Sequence, residues 1–174
     1  PGVEAAEPLY IEVGAWRRPP RDETVAWPAV AWNERQEDPT IDPELPGAVR
    51  AIMLIGAHAD DTVFRAERPD LRAAAKQLTS PEFIVFDRKS HRGFGMRERE
   101  SLEQGRGAVG AEINDRDVRV VGLFEMGAGL GADGDALISP AGLMRITPGR
   151  DLDRVSLGLV RVRDGSLEQT LAAL

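Results

Sequence analysis

The chain has 174 residues, 42% of them apolar, and its 29 acidic side chains against 22 basic ones leave a net charge of -7. That length suits one domain, or two small lobes sharing a core, and buries a real interior without staples. The acid excess argues against a broad electrostatic grip on nucleic acid or anionic lipid, and the absence of cysteine excludes disulfides, thiolate chemistry and cysteine-based zinc sites.

Leu9 to Val13 is short, apolar and alternating, and predicts a strand. The following stretch, WRRPPRDETVAWPAVAWNERQEDPTIDPELPG, has prolines from Pro19 to Pro46 that forbid a long helix or a central strand. Residues 21–47 therefore read as an extended Pro/Trp-rich excursion, with an edge strand or hairpin around Val25 to Trp32. Ala48 to Ile55 is a continuous apolar run and predicts a strand buried on both faces. Leu71 to Leu78 carries strong helix formers behind Pro69-Asp70, a good start signal. PEFIVFD is a second buried strand, and a helix is expected from about Gly95 to Gln104, closed by Gly105.

AEINDRDVRVVGLFEM predicts a hairpin: Glu112-Ile113, a turn from Asn114 to Asp117, then a strand from Val118 to Phe124. After GAGLGADGD comes a short apolar segment, Ala136 to Ile138. Ser139 caps a helix over Pro140 to Arg145, with proline at the favoured first position. RVSLGLVRVR alternates as a strand, and Asp164-Gly165 turns into a final helix from Ser166. Interleaved strands and helices predict a mixed α/β or α+β class. No apolar run approaches the roughly 20 residues of a membrane helix. The chain opens without Met and stops inside a helical pattern, so an excised piece of a longer protein is expected.

LIGAHADDTVF, Leu54 to Phe64, resembles the Ala-His-Pro-Asp-Asp-Glu signature of PIG-L-type zinc deacetylases. That resemblance implies His58 and Asp61 as zinc ligands and Asp60 as general base. Metal hydrolysis needs a third protein ligand beside an open position, and the only other histidine, His91, lies in KSHRGFG, which reads as neither strand end nor helix. Ala59 replaces the motif's proline and Thr62 its glutamate. The plainer reading is a strand ending in an acidic turn.

Gly129-x-Gly131-x-x-Gly134 follows a strand, but a dinucleotide site needs a helix starting inside the motif, and DALISP is extended. Asp133-Gly134-Asp135 opens no EF-hand, because Met144 occupies the twelfth position. Glu98 and Glu100, among Arg97 and Arg99, read as a solvated helix face. Trp16, Trp27 and Trp32 read either as an exposed contact patch or as the core of the excursion. With no catalytic constellation, no metal site and no cofactor site emerging, a binding or force-transmitting domain is favoured over an enzyme.

Several stretches in order, PGVEAAEPLYIEVGAWRRP, AIMLIGAHADDTVF, FIVFDRKSHRGFG, VRVVGLFEMGAGLGADGDALIS, LMRI and VSLGLVRVRDG, resemble successive segments of DevC-like ABC transporter permeases of the FtsX/MacB group. The resemblance spans nearly the whole chain except about Arg21 to Gly47, which is longer than the family's usual connection. It implies that residues 1–174 are a single extracytoplasmic MacB-like periplasmic domain of an inner-membrane protein. The implied fold is mixed α/β: a lobe of strand-helix-strand units and a smaller β-rich lobe.

The resemblance also implies a non-catalytic role in a homodimeric permease. A separate cytoplasmic ATPase would use the ATP, and a membrane-fusion (adaptor) protein would link the permease to an outer-membrane exit duct. Trp16, Trp27 and Trp32 become candidate partner contacts, and the shared features of the opening strand become Asp60, Asp61, Val63 and Phe64, without the histidine. Two other classes stay open at this stage: a zinc hydrolase on His58, Asp60 and Asp61, and a sensing module holding a small molecule between lobes.

Overall fold

The computed structural model describes residues 2–17, 49–58, 68–90, 94, 102, 108–126, 132 and 134–173. Strands β1 (Val3–Arg17), β2 (Val49–Gly56), β3 (Phe83–Asp87), β4 (Val109–Ile113), β5 (Arg116–Phe124), β6 (Asp135–Ile138) and β7 (Leu157–Val162) form one mixed sheet. Helices α1 (Pro69–Ala75), α2 (Pro140–Ile146) and α3 (Leu167–Leu171) accompany it. The strand order is β2-β6-β3-β5-β4-β1-β7, and β1 also returns to β2. Six strands therefore close into a ring, a small barrel without open edges, and β7 continues the sheet outside it.

β1 makes this closure by serving three partners. Tyr10 to Arg17 run antiparallel to β2, from Gly56 back to Val49. Trp16 and Arg17 also face Ile113 and Glu112 of β4. Val3 to Leu9 project beyond the ring as a ribbon with β7. β2–β6 and β3–β5 are parallel pairs, and the remaining ladders are antiparallel.

Strand alternation sorts the side chains into two cores. Trp16, Ile52, Leu54, Ile84, Phe86, Ala111, Ile113, Val118, Val120, Ala136 and Ile138 point inward and form one buried cluster. Ile55, Val85, Phe124 and Leu137 point outward, where Leu71 and Ala74 of α1, with Leu78 just beyond it, cover them. A bulge reconciles β5 with both. Ile84 pairs with Val120 but Val85 with Gly122, so Val121 is an extra residue and the facing reverses. Val120 and Leu123 thus pack on the inner cluster, while Val121 and Phe124 pack on the outer one.

α2 lies across the barrel end where β2 and β6 finish, adding Leu143 and Ile146 to the inner core. Its cap forms as the sequence implies: Ser139 Oγ accepts a hydrogen bond from the Gly142 N–H at 3.1 Å. β4 and β5 join through Asn114 and Asp115, both left-handed with φ of 51° and 58°. That is the geometry of a two-residue hairpin whose twist matches the strands. Between α2 and β7 the chain is strapped to β1. Tyr10 Oη donates to the Leu152 carbonyl at 3.1 Å, the Ile11 N–H donates to Ser156 Oγ at 2.9 Å, and Arg150 Nε lies 2.8 Å from Glu12.

The α+β expectation, with a lobe of strand-helix-strand units and a smaller β-rich lobe, is corrected by this architecture. Strands take 47% of the described residues and helices 19%, in one seven-stranded sheet with three short helices. The two parallel pairs exist, but α1 and α2 have seven residues each, about 10 Å of helix. Helices this short cover only a patch of the outer face, as α1 does, and the sheet buries its inner face by curling on itself. β1 runs for 15 residues where the sequence suggests five, and α1 stops at Ala75 before Leu78. Of the helix expected over 95–104 only Leu102 is described, and it is helical, while the strand or hairpin around 25–32 lies outside the described residues.

Candidate functional site

The barrel end opposite α2 gathers the ends of β3 and β5 and the start of β6. In parallel pairs the carboxyl ends of strands are where polar groups converge outside the core. Asp87 closes the apolar run of β3 and is fully buried. Its Oδ1 accepts from the backbone N–H of Lys89 at 2.9 Å and of Met126 at 3.2 Å, so one carboxylate fixes the chain leaving both strands. Ser90 turns back onto it, its N–H donating to the Asp87 carbonyl at 3.1 Å. The Ser90 hydroxyl accepts from the Asp135 N–H at 3.1 Å, holding the entrance of β6.

Around this buried base lies a charged rim. Arg68 grips Asp70 through two hydrogen bonds, at 3.0 and 2.9 Å, and also donates to the Glu125 carbonyl. The guanidinium hydrogen bond is the chief reason the Asp70 carboxyl is lowered to about 2, and the same contact holds Arg68 more firmly protonated. Lys89 Nζ lies 3.2 Å from Glu125. Arg68, Asp70, Lys89, Glu125 and Met126 line an open hollow of about 510 Å³. The charges are matched within the rim, which suits a polar contact surface.

Beneath the rim sits an aromatic plug. Trp16 packs on Phe86 and Phe94 with ring centroids 5.4 and 5.8 Å away, and the Arg50 guanidinium lies 5.9 Å from the Phe94 centroid. Trp16, offered by the sequence as a partner contact, is thus only 5% exposed and faces the barrel interior. Trp27 and Trp32 lie outside the described residues.

His58 lies elsewhere, just past β2 at the α2 end. It is exposed and borders a second hollow of about 370 Å³ with Leu78, Thr79, Ser80, Pro81, Ser139, Pro140 and Ala141. No carboxylate lines that hollow among the described residues. Asp60, Asp61, His91, Glu98, Glu100, Gly129, Gly131 and Asp133 are outside the described residues. Among the described residues no three His, Asp or Glu side chains group as a metal site. Gly134 leads into β6 rather than a helix, as DALISP implies.

No protein-family model and no curated protein matches this chain.

Asp87, Ser90 and the Arg68–Asp70 pair stand in no recognisable sequence motif. A signal existed for Asp87: an acid directly after the apolar run FIVF must serve backbone donors where it is buried. Arg68 and Asp70 are two residues apart across Pro69, which hides their pairing from any helical spacing rule.

Proposed function

We propose that the chain is a non-catalytic extracytoplasmic domain of an ABC exporter permease, transmitting movement driven by a separate cytoplasmic ATPase to export through an adaptor protein. The observation that carries this reading is the run of segments that resemble DevC-like permeases, in order, from PGVEAAEPLYIEVGAW to VSLGLVRVRDG. A barrel closed on itself and strapped by Arg150, Tyr10 and Ser156 supports it, because force transmission calls for a body that moves as one. The charge-matched rim of Arg68, Asp70, Lys89 and Glu125, together with Trp27 and Trp32, is where the adaptor is proposed to touch.

The test uses the full-length product of the gene in intact cells. Val13→Cys, at a position 58% exposed in a stretch that has no cysteine of its own, reports its side of the membrane when its labelling is read against the parent product. Labelling by a membrane-impermeant maleimide before lysis supports the reading, and labelling only after lysis refutes it. A zinc hydrolase would announce itself differently, through stoichiometric zinc in the purified chain that His58→Ala removes.

A further inference from the structure

We infer that the outer edge of β7 pairs with β7 of a second copy of this chain, antiparallel about a two-fold axis at Val160. The main chain of β7 stands open there. Gly158 has no side chain and is exposed, and a Cβ added to it would meet nothing within 4 Å. Leu157 and Val160 are 50% and 46% exposed. The Arg163 N–H donates to the Gly2 carbonyl at 2.8 Å, just outside the Val3↔Val162 pair. Val162 therefore points its own N–H and C=O away from β1, and alternation gives Val160 and Gly158 the same direction. Within the ribbon, β1 carries Pro8 and a register shift between Val3 and Ala5, two devices that discourage strand addition, whereas β7 has no proline and a single charge, Arg161.

The occupant is a second copy because β7 is its own complement in this register, as a two-fold interface requires. Val160 meets its own copy and Gly158 meets the partner's Val162, on a ribbon face whose other members, Val3, Ala6 and Pro8, are also apolar. Arg161 stands beside the partner's Leu159, whereas an axis one residue further on would set the two copies of Arg161 opposite each other. Leu159 pairs with Glu7 inside its own ribbon, so the partner's Glu7 lies in the same row as Arg161, two strand spacings or about 10 Å away. Glu7 is half-buried and has no ion pair among the described residues, and the second copy brings it an arginine. Three facing pairs that exchange two bonds each give about six main-chain hydrogen bonds, within the roughly 10 ± 5 of a standard interface.

Cysteine cross-linking in the full-length product, read against the parent, tests the pairing without reference to export. Val160→Cys faces its own copy at about 5.5 Å between Cα atoms, which meets disulfide geometry. Under mild oxidation it should give at least tenfold more disulfide-linked homodimer than Leu157→Cys. Leu157 is equally exposed on the same strand, but in this register it stands about 20 Å from its own copy. Glu7→Lys added to Val160→Cys should lower the yield at least threefold, because it puts a like charge in the row of the partner's Arg161. Equal yields from Val160→Cys and Leu157→Cys, a Val160→Cys product that stays monomeric, or one linked to a different protein would overturn the inference. A yield indifferent to Glu7→Lys would overturn the register at Val160.

Discussion

Gly14 is the position at which ring closure can be weighed. A Cβ placed there would stand 2.6 Å from Ile113 Cγ2 and 3.0 Å from Leu54 Cδ1. Both neighbours are 0% exposed and belong to different strands, β4 and β2, so neither can swing into solvent. Overpacking a closed core costs about 1–3 kcal/mol, and two contacts this close put Gly14→Ala in the upper part, roughly 2–3 kcal/mol. For a chain of this size that lowers the midpoint of thermal unfolding by about 4–12 °C. Urea titration followed by circular dichroism gives the free energy directly, with an unchanged denaturant slope showing that the native fold persists. Ile113→Ala alone should cost about 2–5 kcal/mol. Combined with Gly14→Ala it should cost at least about 1 kcal/mol less than the sum, because the new methyl fills the vacated space. A neutral Gly14→Ala, or two strictly additive effects, would mean that β1 does not pass between β2 and β4.

Other outcomes follow from single contacts. Trp16→Ala should destabilise by about 3–5 kcal/mol, so any loss of partner binding it causes must appear together with loss of stability in the same urea titration. Asp70 is lowered from 3.8 to about 2, so its contribution is present above pH 4 and lost as pH falls towards 2. At 39% side-chain exposure that contribution is about 0.5–1 kcal/mol after screening, and Asp70→Asn should show it as a missing step in stability measured from pH 5 to pH 2. Glu112 has the opposite sign: a raised carboxyl favours the fold when protonated, and that support is lost as pH rises through its folded value. Glu112→Gln should therefore gain on the parent between pH 4 and pH 7, by less than about 1 kcal/mol, in paired denaturation curves. Ser139→Ala removes the α2 cap and should cost about 1 kcal/mol by the same assay.

What the sequence made legible is local. The AEINDRD hairpin forms with Asn114 at its turn, two residues tighter than the spacing suggests, because both turn residues accept the left-handed region. The Ser139-Pro140 start of α2 also stands, and β2 forms with Ile52 and Leu54 buried inward and Ile55 outward, while Val49 to Ala51 and Met53 stay half-buried. The misreadings concern what the periodicity of one segment cannot carry. Pro8 and Gly14 flank and interrupt the apolar core of β1 and conceal a strand that continues through both. Val121 and Gly122 hide a change of facing within a smooth β5 pattern. Barrel closure sets Arg17 opposite Glu112, 95 residues away, which no local pattern announces. The site divides similarly: Trp16 is conspicuous in the sequence yet packed inside, while Asp87 looks like a strand terminator and organises a barrel end.

The three partnerships of β1 give the domain a direction of strength. A load applied along the strand through its β7 ribbon is met by eight pairs with β2 lying parallel to the pull, so they share it and must fail together. A load drawing β1 sideways from β4 meets the bonds of their described pairs one after another rather than all together. The same strand is therefore a stiff tie rod lengthwise and a zipper across its width.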